Sequence, residues 1–161
     1  MEKELKTIEW RDDRGLLILI DQRYIPHSLR YFRCRTVEDV AFAIKEMVVR
    51  GAPAIGVTAA FGMALAARNS KARTKEELIG ELREAKKMLA STRPTAVNLF
   101  WSLDRVMRVA ESTVGDVMDV KDAVLREAIS MADEDVKINK AIGRFGSSLL
   151  EDGDKVLTHC N

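Results

Sequence analysis

The first part of the chain has short apolar runs separated by turn residues, a pattern typical of β-strands. Leu16-Leu17-Ile18-Leu19-Ile20 is a continuous run of β-forming residues, and the turn signal Asp12-Asp13-Arg14-Gly15 precedes it. Ile8 and Trp10 alternate with polar neighbours before that turn, which indicates a hairpin. The stretch Tyr31-Phe32-Arg33-Cys34 follows a loop and is predicted to be a third strand.

The middle of the chain has apolar residues three and four positions apart, which predicts a series of helices. Thr36-Val37-Glu38-Asp39 and Thr74-Lys75-Glu76-Glu77 resemble helix caps, and Thr95 is predicted to cap another helix. A longer helical pattern begins at about Val117 and fades near Gly153. The residues predicted to face inward on these four helices are Val37, Val40, Ala41, Ile44 and Val48; Leu78, Leu82, Ala85 and Leu89; Leu99, Leu103, Val106 and Ala110; and Val120, Val124, Ala128, Met131 and Ile138.

One further helix of the series is predicted from Pro53 to about Ala67. Proline suits the first turn of a helix because it lacks the amide hydrogen that would be left unbonded there. The helix is apolar nearly all round, so we expect it to be buried at the centre of the domain. Its most apolar stretch, from Ile55 to Ala67, is too short to span a bilayer.

The last residues, Lys155 to Asn161, read as a short buried strand that follows the turn Asp152-Gly153-Asp154. A helix that leads into an apolar strand usually opens a parallel α/β unit. We therefore predict an α+β N-terminal domain, a β-hairpin or meander plus a helical bundle, over residues 1–152. The first strand of a Rossmann-like α/β domain would occupy residues 153–161, and we expect the protein to continue beyond Asn161.

Composition and charge narrow the class of protein. The 161 residues are 47% apolar and 32% charged with a net charge of +1, which does not suggest a nucleic-acid or membrane surface. The two cysteines, Cys34 and Cys160, do not form a disulfide framework, so a reducing cytoplasm is the simplest compartment. We see no zinc-binding spacing and no signal peptide.

The segment Arg50-Gly51-Ala52-Pro53-Ala54-Ile55-Gly56 is the first candidate site. A helix is expected to end near Arg50, Gly51 can adopt a positive φ, and a new helix starts at Pro53. The amides of Gly51, Ala52, Ala54 and Ile55 would then surround a helix N-terminus, where an anion is favoured, and Arg50 could add a bidentate phosphate contact. A plain tight turn between two helices explains the same residues.

Two more segments have residues suited to chemistry. Pro94 holds Arg93 out of the following helix, so its guanidinium could contact a second phosphate or a sugar hydroxyl. His159-Cys160-Asn161 comes at the carboxyl end of the predicted last strand, where ligands bind in open α/β sheets, and the Cys160 thiol could be a nucleophile or a proton carrier. The alternatives are a surface arginine and a buried structural thiol.

Other conspicuous residues are interpreted as structural. Cys34 lies on an early strand and is taken as a structural thiol. The acidic run Asp133-Glu134-Asp135 lacks metal-ligand spacing and is predicted to be a solvated helix face. Trp10 and Trp101 lie among apolar neighbours and are predicted to be core residues.

Taken together, three segments resemble signature stretches of the methylthioribose-1-phosphate isomerases. These are residues 49–56, Arg93-Pro94-Thr95-Ala96-Val97-Asn98-Leu99, and Leu157-Thr158-His159-Cys160-Asn161. They occur in the family's order and spacing, and residues 19–23 resemble it as well. The resemblance spans this chain but only about the first half of a family member. The larger group, which shares the Arg-Gly-Ala turn, includes the regulatory subunits of translation initiation factor 2B and the archaeal ribose-1,5-bisphosphate isomerases.

The resemblance implies an aldose–ketose isomerase of methionine salvage that converts 5-methylthioribose 1-phosphate to 5-methylthioribulose 1-phosphate. It implies that Arg50, Gly51, Ala52 and Arg93 hold the sugar phosphate and that Cys160 is the catalytic thiol. It implies no metal and no nucleotide cofactor, and it suggests a homodimer, while the charge and the cysteine content indicate no nucleic-acid or membrane partner and a cytoplasmic protein. It also implies an acidic Asp beyond Asn161, so we expect residues 1–161 alone to be inactive.

Three functional hypotheses therefore stay open on the sequence. The first is the isomerase, with a related ribose-1,5-bisphosphate isomerase as a variant of it. The second is a non-catalytic regulatory subunit that resembles translation initiation factor 2B and works through protein contacts. The third is a self-contained helical domain with neither role.

Overall fold

The computed structural model describes residues 5–159 and has a small antiparallel sheet beside five helices. The strands are β1 (Ile8–Arg11), β2 (Leu16–Ile20) and β3 (Tyr31–Cys34), with short 3-10 helices at Asp12–Arg14 and Gln22–Tyr24. The helices are α1 (Val37–Lys45), α2 (Ala52–Asn69), α3 (Lys75–Ala90), α4 (Val97–Ser112) and α5 (Val117–Ser147).

The sheet has the order β1-β2-β3, and both pairs of neighbours are antiparallel. Trp10 pairs with Leu17, which in turn pairs with Cys34, so the predicted hairpin and third strand are confirmed. Leu17 and Cys34 are fully buried. Trp10 stacks on Phe61 of α2 with ring centroids 5.5 Å apart, so the sheet is joined to the helical part through its apolar face.

Helix α2 is the centre of the domain, as its apolar composition predicts. It contacts α1, α3, α4 and α5, and all its residues from Ile55 to Leu65 are buried. Gly62 allows a close approach, because a Cβ there would lie 2.8 Å from a Val40 methyl group and 3.1 Å from one of Leu89. Among residues 5–159, no helix is both long and apolar enough to cross a membrane.

Capping explains where three helices begin. Thr36, Thr74 and Asp116 each accept a hydrogen bond from the backbone amide three residues later, and the acidic side chain of that later residue accepts one from the amide of the cap residue. Each is a full capping box, which satisfies amides that a helix start leaves unbonded. The predicted caps of α1 and α3 are confirmed.

Two predicted helix boundaries are wrong. Thr95 does not cap α4, because residues 93–96 form a turn in which the Ala96 amide donates to the Arg93 carbonyl at 3.0 Å. Pro94 favours that turn, so Ala96 becomes the N-cap. Helix α1 ends at Lys45, well before Arg50, so the buried Val48 belongs to the connecting loop and not to the helix.

Three predictions about burial and strand formation also fail. Trp101 is 54% exposed, since it lies on the side of α4 opposite Leu99 and Leu103, which are buried. Ile138 is 58% exposed because the buried face of α5 ends at Met131. Residues 155–159 form no strand, because the described part of the chain offers them no neighbouring strand to pair with. The proposed domain boundary at residues 152 and 153 stays a prediction.

Candidate functional site

The turn before α2 has the geometry of an open helix N-terminus. Gly51 is the N-cap with φ 94° and ψ 131°, a conformation that favours glycine. The Ile55 amide donates to the Gly51 carbonyl at 2.9 Å. The prediction that this amide could bind a ligand is therefore wrong. Pro53 has no amide hydrogen, and helix geometry leaves the amides of Ala52 and Ala54 without an intrahelical acceptor. Within the described residues, no side chain caps this start.

The segment after β2 supports this turn from the side. The Gln22 amide donates to the Val48 carbonyl at 2.9 Å, and its side-chain nitrogen lies 3.4 Å from the Arg50 carbonyl. Asp21 is buried and receives two side-chain hydrogen bonds from Arg23, at 2.7 and 2.8 Å. The Arg23 guanidinium lowers the pKa of this carboxyl below its usual value. The sequence pointed to these residues only through a resemblance, and the contact of Gln22 with the turn was not predicted.

The start of α4 is a second helix N-terminus with no side-chain cap among residues 5–159. Arg93 begins the turn that leads into it and is half-buried. Arginines precede four of the helices, as Arg35, Arg50, Arg73 and Arg93, but only at α2 and α4 does the helix start lack a side-chain cap within the described residues. Arginine and unbonded helix amides are both suited to bind an oxyanion.

Gly56 brings these two helix starts together. A Cβ on Gly56 would lie 2.9 Å from the Ser102 hydroxyl and 3.0 Å from the Asn98 carbonyl oxygen. The buried Ser102 hydroxyl donates to the Gly56 carbonyl at 2.7 Å. The N-terminal parts of α2 and α4 are thus in close contact, and the segments 50–56 and 93–99 belong to one region of the surface.

A cavity of about 220 Å³ opens at this contact, between α2, α4 and α5. Helices α2 and α4 contribute Pro53, Gly56, Val57, Asn98 and Trp101 to its wall. Helix α5 completes the wall with Met131, Glu134, Asp135 and Ile138.

Glu134 is held in place by an ion pair that the sequence did not predict. Two guanidinium nitrogens of Arg105 lie 2.6 and 2.7 Å from its carboxylate oxygens, and Ser130 donates a further hydrogen bond at 2.9 Å. The Arg105 hydrogen bonds lower the pKa of Glu134 to about 2. Arg105 also contacts Glu127, two helical turns before Glu134. The acidic run is therefore only partly the solvated face that was predicted.

Of the two cysteines, Cys34 lies within the described residues and Cys160 does not. Cys34 is fully buried, and burial raises the pKa of its thiol to about 12, so the prediction of a structural thiol is confirmed. Cys160 and Asn161 lie outside the described residues, and His159 is exposed. The assignments of Arg50, Gly51, Ala52, Arg93 and Cys160 as site residues stay predictions.

The family to which this chain belongs follows from its similarity to known proteins. The sequence model of the initiation factor 2 subunit family matches residues 48–161, most of the chain. The chain belongs to the initiation factor 2 subunit family. It is 53% identical to a methylthioribose-1-phosphate isomerase of Thermosipho melanesiensis, and the match covers all of this chain and 46% of the relative. It is 49% identical, over all of its length and 46% of the relative, to a 5-deoxyribose 1-phosphate isomerase of Moorella thermoacetica.

Two crystal structures are similar to this member of the family. The 5-methylthioribose 1-phosphate isomerase of Pyrococcus horikoshii has a TM-score of 0.88 and 42% identity, over 94% of this chain and 42% of that one. The structure described as translation initiation factor eIF-2B, subunit delta, from A. fulgidus has a TM-score of 0.87 and 47% identity, over 98% of this chain and 45% of that one. The predicted α+β arrangement is confirmed, and the chain spans less than half the length of the relatives it matches.

Proposed function

We propose that this chain provides the sugar-phosphate-binding part of an aldose–ketose isomerase that converts 5-methylthioribose 1-phosphate to 5-methylthioribulose 1-phosphate. The observation that carries the proposal is the pair of helix N-termini without side-chain caps, each preceded by an arginine, which meet at Gly56. Similarity to proteins named as methylthioribose-1-phosphate isomerases supports the same substrate.

In the proposed site, the amides of Gly51 and Ala52 and the guanidinium groups of Arg50 and Arg93 bind the sugar phosphate. An anion at a helix N-terminus gains from both unbonded amide hydrogens and the helix dipole. Cys160 is proposed as the thiol that contacts the reacting carbons. Methionine salvage is the process in which such a product is used, and the cytoplasm is the proposed compartment.

The substrate sets the order of the chemistry. Its anomeric carbon bears the phosphate, which the product keeps, so no free aldehyde forms. A protonated acid supplies a proton to the ring oxygen, and ring opening leaves a phosphorylated oxocarbenium ion at carbon 1. Hydrogen then moves from carbon 2 to carbon 1: either a base removes the proton of carbon 2 to give a cis-enediol phosphate that is protonated at carbon 1, or the hydrogen shifts as a hydride and the carbon 2 hydroxyl gives its proton to a base. Deuterium incorporation from solvent into the product would exclude a pure hydride shift.

The test uses the full-length protein and three variants. Arg93→Ala should weaken substrate binding roughly 10- to 150-fold, because a hydrogen bond to a charged group contributes about 1.5–3 kcal/mol. Arg126→Ala is the matched control, since Arg126 is an exposed arginine of α5 that does not line the cavity. Cys160→Ser should lose turnover but still bind substrate.

Each result can contradict a separate part of the proposal. Full activity of Cys160→Ser would remove the thiol from the mechanism. Equal binding by Arg93→Ala and Arg126→Ala would remove the second arginine from the site. An absence of turnover in the unaltered full-length protein would reject the isomerase itself.

The rival hypothesis is a regulatory subunit of the translation initiation factor 2B type. The A. fulgidus structure described in those words has the same fold, so the fold does not separate the two roles. Turnover separates them, because a regulatory subunit needs no sugar isomerisation.

We also propose that the isomerase is a homodimer, which light scattering during size-exclusion chromatography would test on the full-length protein.

A further inference from the structure

We propose that the cavity between α2, α4 and α5 receives the apolar substituent on carbon 5 of the sugar phosphate. We further infer that Val57, Met131 and Ile138 limit the size of the substituent that fits. The inference rests on the proposed function, because it assigns the far end of the same substrate.

The cavity adjoins the phosphate-binding turn. Pro53 belongs to that turn and also lines the cavity, while Asn98 brings the second motif segment to the same wall. Val57 follows Ala52, whose amide would bind the phosphate, by five residues, which corresponds to about 7.5 Å along the helix axis. An opened five-carbon chain with its phosphate ester is of similar length, so one molecule can have its phosphate at the turn and carbon 5 beside Val57.

The walls suit an apolar, sulfur-containing group. Val57 and Met131 are buried, with 5% and 3% of their surfaces exposed, and they close the inner end of the cavity. Trp101 and Ile138 flank the open end and are more than half exposed. A methylthio group is much smaller than the cavity volume of about 220 Å³. Its sulfur can also interact favourably with an aromatic ring such as that of Trp101.

Charge fixes the direction in which the sugar would lie. The only ionisable side chains on the described wall of the cavity are those of Glu134 and Asp135. Glu134 is ionised at neutral pH because its pKa is held at about 2. Two carboxylates repel a phosphate, whereas the arginines that would attract one precede α2 and α4. The neutral end of the substrate is therefore the end that this cavity accepts.

The experiment compares two sugars that differ only at carbon 5, namely 5-methylthioribose 1-phosphate and 5-deoxyribose 1-phosphate. Both are assayed with the full-length protein and with Val57→Phe, which fills the inner end of the cavity. We expect kcat/KM for the methylthio sugar to fall at least tenfold relative to the deoxy sugar, because a misfitting apolar group in such a pocket changes selectivity about 10- to 200-fold.

Two further variants make the test independent of folding. Ile138→Trp enlarges an exposed side chain at the open end, so it leaves the core intact and should shift selectivity in the same direction. Val136→Phe is the control, because Val136 is exposed on the same helix but does not line the cavity, and it should leave the selectivity unchanged.

The outcomes separate this inference from the function on which it rests. Turnover of both sugars with unchanged selectivity in Ile138→Trp, and in Val57→Phe if that variant folds, would overturn the cavity assignment but leave the isomerase standing. A shift in Val136→Phe equal to that in Ile138→Trp would also overturn it. Turnover of neither sugar by the unaltered protein would reject the proposed function and this inference with it.

Discussion

Gly56→Ala tests whether α2 and α4 are in the tight contact that joins the two motif segments. The added methyl group would lie 2.9 Å from the Ser102 hydroxyl and 3.0 Å from the Asn98 carbonyl oxygen. The hydroxyl can rotate away, but it then loses its buried hydrogen bond to the Gly56 carbonyl. The carbonyl belongs to the backbone of α4, so relief of that contact requires the two helices to move apart.

The expected change in the free energy of unfolding combines one stabilising and two destabilising contributions. Alanine is favoured over glycine inside a helix by about 1 kcal/mol. Loss of the Ser102 hydrogen bond costs about 1 kcal/mol, and overpacking in a well-packed core typically costs about 1–3 kcal/mol. The free energy of unfolding should therefore fall by about 1–3 kcal/mol. Gly80→Ala is the matched control, because a Cβ on this α3 glycine meets nothing within 4 Å in the described part of the chain.

The assay is urea unfolding of the full-length protein and its variants, followed by circular dichroism. Gly80→Ala should be about 0.5–1 kcal/mol more stable than the parent, since only helix propensity acts there. Gly56→Ala should change stability in the opposite direction. In the double variant Gly56→Ala with Ser102→Ala, the loss should be smaller than the sum of the single losses, because one of the two close contacts is gone. Stabilisation by Gly56→Ala equal to that by Gly80→Ala would refute the described contact.

Three further predictions concern acid–base and thiol behaviour. Because Arg105 lowers the pKa of Glu134 from 4.5 to about 2, this carboxyl contributes stability above pH 4.5 that is lost as the pH falls towards 2. Glu134→Gln should therefore show a smaller difference in unfolding free energy between pH 7 and pH 3, and an unchanged difference would contradict the ion pair. Asp21→Asn should destabilise the protein by about 1–3 kcal/mol through its weakened bonds to Arg23, as measured by urea unfolding, and a neutral effect would be the contrary result. Cys34 should resist alkylation at pH 8 in the folded protein and react in urea, as peptide mass mapping would show, and fast labelling of the folded state would disprove its burial.

The elements that the sequence predicted well are those whose signals are local. The capping boxes at Thr36 and Thr74 depend on contacts within four residues, and the structure contains both. The central position of α2 follows from apolar residues on all sides, which only a helix surrounded by others can bury. The predicted cap of α4 was wrong because Pro94-Thr95 suits both a turn and a helix start, and the structure has the turn, with Ala96 as the N-cap.

Features that depend on packing between helices were not predictable in the same way. The Arg105–Glu134 ion pair joins α4 to α5, and no local pattern brings its two members together. Trp101 was assigned to the core because its sequence neighbours are apolar, although the spacing of Leu99 and Leu103 places it on the opposite side of the helix. The contact between Gly56 and Asn98 likewise requires the helix arrangement, whereas the importance of segments 50–56 and 93–99 was visible in the sequence as a resemblance.

The two helix starts without side-chain caps have a consequence for the protein before any substrate arrives. A side-chain cap contributes about 1 kcal/mol to a helix relative to alanine and a few tenths relative to glycine, and α4 and α2 go without these contributions at Ala96 and Gly51. Under the proposed function, the bound phosphate would supply the missing acceptors, so occupancy and local order would rise together. Amide hydrogen exchange in the first turns of α2 and α4 would then slow when ligand binds, while the self-capped starts of α1, α3 and α5 would exchange as before.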